Sequence, residues 1–431
     1  MKRVGGEGGE ANRDTGAFEF SEDFPDGPVV GGLSGYSPFD EPELRQFADL
    51  SLPEIAATAG LRRVDVVAWR DFDDPEAGGS ELHANQILSA WAGAGLDITL
   101  TTSSVPDGRV VSRRGGYRVV RRAGRYAVFP RTLLSGALGR LGTGDGLVEV
   151  WNGMPFFSPL WARCPRITFL HHVHAEMWDM VLPRGLAALG NSIEHQLAPP
   201  IYRRSRIVTL SSSSKAEIVD RLGIPSDRVV VCPPGVDRRF APGGERSESP
   251  LVVAVGRLVP VKRFELMIEA LVRVKRRHPE LVAVIAGEGY ERPMLEALVR
   301  ARGAESWISL PGYVDDDALV DLYRAAWVVA SSSLREGWGM TVTEAGACGT
   351  PAVASRISGH RDAVIDDRSG LLFDDVEGMD DALGAVIADE ILQKRLGIGA
   401  FEHASRFTWE AAARGALAVL ASEAMARRAT R

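Results

Sequence analysis

Hydrophobic segments of two kinds alternate along the chain from about residue 62 almost to its end. The β-branched segment VDVVAW is followed by GGSELHANQILSAWAGAG, in which Ile87, Leu88 and Trp91 share one face of a helix, and then by DITLTT. A strand, a helix and a second strand in this order predict a βαβ unit with parallel strands and a right-handed crossover.

The same alternation forms two series of strands with a break between them. The first series continues through LVEVWN, RITFLHH, RIVTLSSSS and RVVVCPPGVD, and the second through PLVVAVGRL, VAVIAGEG, WISLPGYV, WVVASSS, PAVAS and GLLF. The segment APGGERSESP, residues 241–250, is rich in Pro, Gly and Ser and predicts an interdomain linker. Apolar residues at helical spacing predict a helix after the first strand of the second series: Phe264, Met267, Ile268, Leu271 and Val274.

We therefore predict an α/β protein with two doubly wound Rossmann-like domains that face each other across a cleft. Ligands bind at the carboxyl ends of the strands in such sheets, so the cleft is the expected site. The acidic start, rich in Gly and Pro, predicts a mostly disordered leader with one short helix near 42–58. The predicted units are the leader 1–60, the N-terminal domain 61–245, the C-terminal domain 246–408, and a C-terminal helix 409–431 that packs back on the N-terminal domain.

Composition and charge argue against several functional classes of protein. The 431 residues carry a formal net charge of -7, which gives no reason to expect nucleic acid as a partner. The three cysteines lie far apart without Cys-x-x-Cys spacing, which argues against a disulfide scaffold and indicates a reducing compartment. The start lacks a secretory signal and no apolar run reaches about 18 to 20 residues. The sequence therefore predicts a cytoplasmic protein, at most in contact with the inner face of the membrane.

The second half of the chain places polar side chains where predicted strands end. Arg257 follows VVAVG and Lys262 precedes the next helix, so one strand-to-helix loop holds two cations. The segment EGWGM leads into another helix, whose first backbone N–H groups suit an anion. Glu336 and Glu344 flank that turn, and carboxylates accept paired hydrogen bonds from the vicinal hydroxyls of a sugar or ribose. A cleft with these groups suits a nucleoside diphosphate sugar.

Each of these residues also has a structural interpretation. Thr341 and Glu344 have the spacing of a capping box, in which Glu344 only fixes the start of its helix. Arg257 and Lys262, taken singly, fit solvated surface cations. The order and spacing of the whole set favour the functional interpretation.

The ordered set resembles a known enzyme family. The segments VGRLVPVKRFELMIEAL, GEGYERPMLEAL, LPGYVDDDALVDLYRAAWVVASSS, REGWGMTVTEAGACGTPAVAS and SGLLF are similar to those of the retaining glycosyltransferases of glycosyltransferase family 4. The earlier segments WRDFDDPEAGGSELHANQI, FLHHVHAEMW and VCPPGVD resemble the same family. The resemblance spans about residues 62–425 and implies the GT-B fold, with the acceptor bound by the N-terminal domain and the donor by the C-terminal domain.

The resemblance implies a role for each matching residue of the donor site. Arg257 and Lys262 would neutralise the donor diphosphate, in place of the divalent metal that other transferases use. Glu336 would bind hydroxyl groups of the transferred sugar, and Glu344 would hold the nucleotide ribose. The remaining donor positions are the backbone groups of Gly339 and Met340, against phosphate or sugar, and Val314, near the base.

By the same resemblance, the first domain contributes a glycine turn and a histidine. Gly78 and Gly79 would let the backbone approach the donor closely at the start of a helix. His171, directly after RITFL, would be the histidine near the reacting carbon, with His172 and His174 as alternatives because neighbours along a strand face opposite sides. The predicted catalytic set is His171, Arg257, Lys262 and Glu336.

The implied activity is transfer of a hexose-type sugar from a UDP- or GDP-linked donor to an acceptor hydroxyl, with retained configuration and without a metal ion or cofactor. The acceptor would be a carbohydrate, a lipid-linked molecule or a small molecule. Two alternatives remain open, a sugar-nucleotide epimerase of similar fold and a non-catalytic protein that binds nucleotide sugars. The chain departs from the family pattern at Arg263, where glycine is usual, at Pro234, where asparagine is common, and at SGHRDAV, which replaces a loop with Gly-Gly and Glu.

Three further signals have competing interpretations. Asp71 and Asp73 form an Asp-x-Asp pair, which binds manganese in the other major glycosyltransferase fold, but they precede a glycine turn, so we predict no metal site. The HHVH segment lacks a Cys or Glu partner for zinc. The arginine-rich, acid-free segment Arg109–Arg131 predicts either a solvated surface, which we favour, or a contact with an anionic acceptor or a membrane.

Overall fold

The structure, a computed structural model that describes residues 37–430, contains two largely parallel sheets. The first sheet has the strands β1 (Arg63–Val67), β2 (Asp97–Ser103), β3 (Val111–Arg114), β4 (Tyr117–Ala123), β5 (Gly146–Val150), β6 (Arg166–Phe169), β7 (Arg206–Thr209) and β8 (Val229–Val231). The second has β9 (Leu251–Val255), β10 (Val282–Ala286), β11 (Ile308–Gly312), β12 (Val328–Ser331), β13 (Ala352–Ser355) and β14 (Gly370–Phe373). The spatial orders are β3-β4-β2-β1-β5-β6-β7-β8 and β11-β10-β9-β12-β13-β14.

Helices follow most of the strands. The first domain has α1 (Leu52–Ala59), α2 (Gly79–Gly93), α3 (Val128–Ala137), α4 (Ser158–Trp161), α5 (Met177–Val181), α6 (Arg184–Ser192), α7 (Ala198–Tyr202) and α8 (Ser212–Leu222). The second has α9 (Phe264–Lys275), α10 (Arg292–Ala301), α11 (Asp316–Ala325), α12 (Met340–Ala347), α13 (His360–Ala363), α14 (Val376–Ala388) and α15 (Glu390–Ala404), and α16 (Trp409–Ala429) comes last.

Successive residues of the central strands are buried on opposite faces, so helices cover both sides of each sheet. Val66 of β1 packs with α2 and α16, whereas Val67 packs with Val128 of α3. In the second sheet Val252 packs with α9 and Val253 with α11. Burial on both faces is typical of parallel sheets. The predicted fold class, two doubly wound Rossmann-like domains, is confirmed.

The helix predicted from apolar spacing after β9 is confirmed as α9. All five apolar residues of the pattern are at most 3% exposed, namely Phe264, Met267, Ile268, Leu271 and Val274. They pack under the second sheet, because residues three and four positions apart lie on one face of a helix.

Residues 37–60 belong to the folded unit, so the prediction of a mostly disordered leader is wrong for this segment. Phe47 is fully buried in the same apolar cluster as α1 and α16. Ser51 starts α1, and its N–H donates to the Glu54 carboxylate at 2.8 Å in a capping box. The rest of the predicted leader, residues 1–36, lies outside the described residues.

The last helix, α16, runs from the second domain back onto the first, where it packs against α1, α2 and β6. The Thr408 hydroxyl caps it by accepting a hydrogen bond from the Ala411 N–H at 3.1 Å. The buried indole of Trp91 donates to the Ala413 carbonyl at 2.9 Å. Within the described chain, no helix is both long enough and apolar enough to span a bilayer.

Candidate functional site

Loops at the carboxyl ends of the two sheets meet across the interdomain cleft. The strand order changes direction at β1 in the first sheet and at β9 in the second, and ligands of α/β sheets bind beside such switch points. Arg257 follows β9, and its Nη1 donates to the carbonyl of Glu76, in the loop after β1, at 3.0 Å. The loops that follow β1 and β9, at the switch points of the two sheets, are therefore in direct contact.

Lys262 and Glu336 form an ion pair in this cleft. The Lys262 ammonium donates to Oε1 of Glu336, and the Ser333 hydroxyl donates to the same oxygen at 2.9 Å. Burial alone would raise the pKa of Glu336, but the positive charge of Lys262, with a smaller effect from His360, lowers it to about 2. Glu336 is therefore ionised near neutral pH and can accept hydrogen bonds from hydroxyl groups.

Gly78 and Gly79 let the first domain approach the second closely. A Cβ atom at Gly78 would lie 3.1 Å from Nε of Arg257, and one at Gly79 would lie 3.0 Å from Cε of Met340. The Gly78 N–H donates to the Glu81 carboxylate at 2.8 Å, so the Glu81 side chain satisfies one free backbone donor at the start of α2. The glycine turn therefore lies beside two of the predicted donor residues.

The turn before α12 packs against His360, a buried histidine that the sequence analysis did not assign to the site. Gly339 has a φ of +110°, and a Cβ atom there would lie 2.8 Å from Cδ2 of His360. The His360 ring is fully buried, with Nδ1 3.0 Å from the Ser355 carbonyl and Nε2 3.3 Å from the Ser331 hydroxyl. His360 belongs to SGHRDAV, and the departure of this loop from the family pattern is the signal that marks it.

Glu344 contacts a tyrosine on the neighbouring helix and does not cap its own. The Tyr323 hydroxyl donates to Oε2 of Glu344 at 3.2 Å, whereas the N-cap of α12 is Gly339. The capping-box interpretation of Thr341 and Glu344 is therefore wrong. Burial raises the pKa of Glu344 to about 7, although the hydrogen bond from Tyr323 acts in the opposite direction. Val314 is half-buried just after β11, at the carboxyl edge of the second sheet.

The three histidines after β6 have different surroundings. Nε2 of His171 lies 3.2 Å from Nδ1 of His83, and the two buried rings meet edge to face inside the first domain. Burial lowers the pKa of His172 to about 4, and the nearby charge of Glu336 acts against this shift. His174 stacks on His172 with ring centroids 5.1 Å apart. The ring of His171 turns toward His83, and the charge of Glu336 acts on the ring of His172. Which of these histidines is nearest the reacting carbon stays a prediction.

Arginines of the segment Arg109–Arg131 turn inward to the Asp-x-Asp pair. Arg121 is almost fully buried and donates to Asp71 through Nε at 2.9 Å and Nη2 at 3.1 Å. Arg114 donates to Asp71 at 2.6 Å and also pairs with Asp73. Burial would raise the pKa of Asp71, but hydrogen bonds led by the one from Arg121 lower it. Neither interpretation of the segment as an outward-facing surface applies to these two arginines.

The Asp-x-Asp carboxylates are therefore engaged by arginine side chains. In the part of the chain that the structure describes, no group of three or more His, Cys, Asp or Glu residues is arranged to hold a metal ion.

A small cavity lies beside the glycine turn in the first domain. Its lining includes the aromatic rings of Trp69 and Phe72 and the polar side chains of Arg70, Glu81 and Asn152. Nε of Arg70 is buried without a hydrogen-bond partner, 3.6 Å from a carboxylate oxygen of Glu81. The enclosed space has room for about one water molecule, so a sugar would contact these rings and polar groups only at the mouth of the cavity. The sequence analysis assigned no role to these side chains, although all of them except Asn152 lie in the segment WRDFDDPEAGGSELHANQI.

Two sets of polar contacts hold the domains together beside the cleft. Asp362 of the second domain accepts hydrogen bonds from the N–H groups of Ser212 and Ser213 at 2.9 and 3.1 Å, at the positive end of α8. Arg335 pairs with Glu176 of the first domain. These contacts set the separation of the two faces of the cleft.

Two family models match consecutive parts of the chain. The model described as Glycosyltransferase Family 4 matches residues 77–240, and the model described as Glycosyl transferases group 1 matches residues 236–403. The first covers most of the N-terminal sheet, and the second covers the C-terminal sheet with the predicted donor residues.

Curated relatives and solved structures extend the comparison. A D-inositol 3-phosphate glycosyltransferase of Xylanimonas cellulosilytica is 29% identical over 386 residues, which cover 80% of this chain and 92% of the relative. The protein of the same name from Kribbella flavida is 36% identical over 244 residues, which cover 51% of this chain and 58% of the relative.

Among solved structures, sucrose-phosphate synthase from Thermosynechococcus elongatus superposes with a TM-score of 0.69 at 20% identity, covering 82% of this chain and 96% of that chain. Anabaena HepE in complex with UDP and glucose superposes with a TM-score of 0.63 at 16% identity, covering 86% and 99%. At these identities the structures establish a shared fold.

Proposed function

Because the chain belongs to the GT4-type glycosyltransferases and has the GT-B fold, we propose that it transfers a hexose-type sugar from a nucleoside diphosphate sugar to an acceptor hydroxyl with retained configuration. The donor would be linked to UDP or GDP, and no metal ion would take part. The observation that carries this proposal is the contact between Lys262 and Glu336 in the cleft that also holds Arg257. One cleft thus combines cations for a diphosphate with a carboxylate for sugar hydroxyls.

Donor binding would use the charges on the second domain. The diphosphate would lie against Arg257, Lys262 and the first backbone N–H groups of α12, because all three attract phosphate oxygens. Glu336 would accept hydrogen bonds from the sugar and Glu344 from the ribose. Since the pKa of Glu344 is about 7, ribose binding to its ionised form would release a proton at or below neutral pH.

Sugar transfer would take place on one face of the donor. The bond between the anomeric carbon and the diphosphate oxygen breaks, the acceptor oxygen bonds to the anomeric carbon on the same face, and the leaving phosphate takes the acceptor proton. Arg257 and Lys262 would stabilise the negative charge that grows on the leaving oxygen. A preorganised group of this kind contributes about 3 kcal/mol. In this proposal Arg257 and Lys262 do what a divalent metal ion does in other transferases.

The acceptor would enter from the first domain. The cavity with Trp69, Arg70 and Phe72 lies beside Gly78, where a Cβ atom would lie 3.1 Å from Nε of Arg257. At the mouth of this cavity, the rings and hydrogen-bonding groups would contact a carbohydrate, either free or lipid-linked, or another hydroxylated small molecule. The relatives named D-inositol 3-phosphate glycosyltransferase make a small phosphorylated polyol one acceptor to test.

The epimerase and the non-catalytic binding protein have less support. Both family models and the curated relatives bear glycosyltransferase names. An epimerase would convert the nucleotide sugar without an acceptor, so product analysis with and without acceptor separates the two reactions.

We expect a nucleoside diphosphate to raise the melting temperature in the presence of EDTA. A ligand at 100 times its dissociation constant adds about 2.7 kcal/mol to the free energy of unfolding. The measurement is a thermal-shift screen of UDP, GDP, ADP and TDP with their common sugars. A shift seen only after manganese is added would contradict the metal-free site. The absence of any shift would contradict the donor site itself.

We expect His172→Ala to lower kcat by at least about tenfold with little loss of stability, because its ring is half-buried and within reach of the charge of Glu336. His171→Ala should instead lower the free energy of unfolding by about 2–3 kcal/mol, because it removes the buried contact with His83. Steady-state kinetics and urea unfolding of both variants measure these effects. Full activity in His172→Ala together with loss of turnover in His171→Ala would support the predicted His171 as the histidine of the site.

A further inference from the structure

The helix α3 presents an exposed apolar face. Leu134 and Leu138 are 61% and 58% exposed, and Leu133 is 41% exposed. Leu160, on the adjoining helix α4, is 66% exposed. A single exposed leucine is ordinary, but four on this pair of helices, counting Leu138 at the C-cap of α3, form the kind of patch that marks an interaction surface.

The packing of α3 keeps this face outward. Val128 is buried in the apolar cluster beneath the helix, and Gly136 lies directly against the Trp161 ring of α4. Any side chain at Gly136 would overlap that ring. The helix therefore cannot rotate its leucines inward without losing these contacts.

All the charged residues along the chain around α3 are arginines. Between Asp107 and Asp145 it has nine arginines and no acidic residue. Three of the nine pair with acidic residues of the loop after β1. Arg131 precedes Leu134 and Leu138 by three and seven positions, so it lies on the same helix face. The remaining six arginines are exposed: Arg109, Arg113, Arg118, Arg122, Arg131 and Arg140.

We propose that the surface formed by the four leucines and these six arginines binds an anionic lipid bilayer. The leucines would insert at the level of the head groups and the arginines would contact lipid phosphates, as in amphipathic basic helices that lie on membranes. An apolar face alone would fit a second copy of the chain equally well. The six exposed arginines favour a partner with dense negative charge.

This leucine and arginine surface adjoins the cavity of the first domain. The Tyr126 and Phe129 rings, at the start of α3, lie 6.4 and 6.3 Å from the ring of Trp69, which lines the cavity. The Trp69 indole also donates to the Arg125 carbonyl at 2.8 Å. A bilayer bound at α3 would present a lipid-linked acceptor to this cavity, a consequence that rests on the proposed function.

A second leucine pair provides a matched control. Leu186 and Leu189 of α6 are 55% and 56% exposed, close to the values for Leu134 and Leu138. Residues 176–194 around them contain three acidic residues and one arginine. This face matches the first in apolar exposure and lacks its positive charge.

The test is co-sedimentation of the full chain with vesicles of phosphatidylcholine alone and with vesicles in which a quarter of the lipid is phosphatidylglycerol. We expect binding to the anionic vesicles that falls as salt is added, because salt screens exposed charges. Leu134→Ser combined with Leu138→Ser should lower the bound fraction at least about fivefold. Leu186→Ser combined with Leu189→Ser should leave it unchanged.

Several outcomes would overturn the proposal. They are no binding of the unmodified protein to anionic vesicles at low salt, equal binding to both lipids, and equal losses in the two double variants. Self-association that disappears in the Leu134 and Leu138 variant, without vesicle binding, would assign the face to a second copy. Thermal melting checks that both variants fold. Sedimentation requires no nucleotide sugar, so its result stands even if the proposed function fails.

Discussion

The substitution Lys262→Ala is expected to lower kcat for sugar transfer by about 100-fold. Lys262 contacts Glu336 in the cleft, and in the proposed reaction its charge stabilises the diphosphate as it leaves. Loss of one preorganised group at a developing negative charge costs about 3 kcal/mol in the transition state, whereas loss of uniform binding raises only KM. Steady-state kinetics with the donor concentration varied separates the two effects.

Lys215→Ala is the matched control for this variant. Lys215 is 23% exposed, against 21% for Lys262, and it also pairs with a glutamate, Glu41, at 3.4 Å. That pair lies outside the predicted donor site, so kcat should not change. Unchanged kinetics in Lys262→Ala, or equal losses in the two variants, would remove Lys262 from the proposed mechanism. Circular dichroism confirms that each variant folds.

The substitution Asp71→Ala is expected to lower the free energy of unfolding by about 3–5 kcal/mol. Asp71 is fully buried and accepts hydrogen bonds from Arg121 and Arg114. Its removal leaves two largely buried guanidinium groups with only the half-exposed carboxylate of Asp73 as a counterion, and a buried charge that is poorly paired is costly. Urea unfolding of the two proteins measures the difference.

Asp73→Ala tests whether burial causes the large effect. Asp73 pairs with the same two arginines, but its side chain is 55% exposed, so its loss should cost about 1 kcal/mol or less. The double substitution Asp71→Leu with Arg121→Leu should be more stable than Asp71→Ala, because it leaves less uncompensated charge in the interior. Equal costs for Asp71→Ala and Asp73→Ala would contradict this explanation.

The departure from the family pattern at Arg263 has a structural explanation. Arg263 has a φ of +51°, a left-handed conformation that glycine adopts without strain, which accounts for the glycine usual there. In this chain the Arg263 side chain donates from Nε to the Ser332 carbonyl at 3.0 Å. The sequence marks the position as unusual, and the backbone conformation shows why.

The sequence by itself determined the fold class and the main groups of the proposed donor site. The two sheets and α9 follow from hydrophobic periods that can be read within a few residues. Arg257 and Lys262 share one loop, and Glu336 and Glu344 flank one turn, so short spacing was enough to group them. Such features depend on local geometry, which the order of residues specifies directly.

Only the tertiary structure decided which polar groups meet across the fold. His171 pairs with His83 from 88 positions away, and the charge of Glu336 acts on His172. Arg121 meets Asp71 across 50 positions, so part of a segment that looks like basic surface becomes buried ion pairs. Residues 37–60 are ordered for the same reason, because α16 covers them from the far end of the chain. Contacts of this kind arise when distant segments pack together, and the spacing along the chain does not encode them.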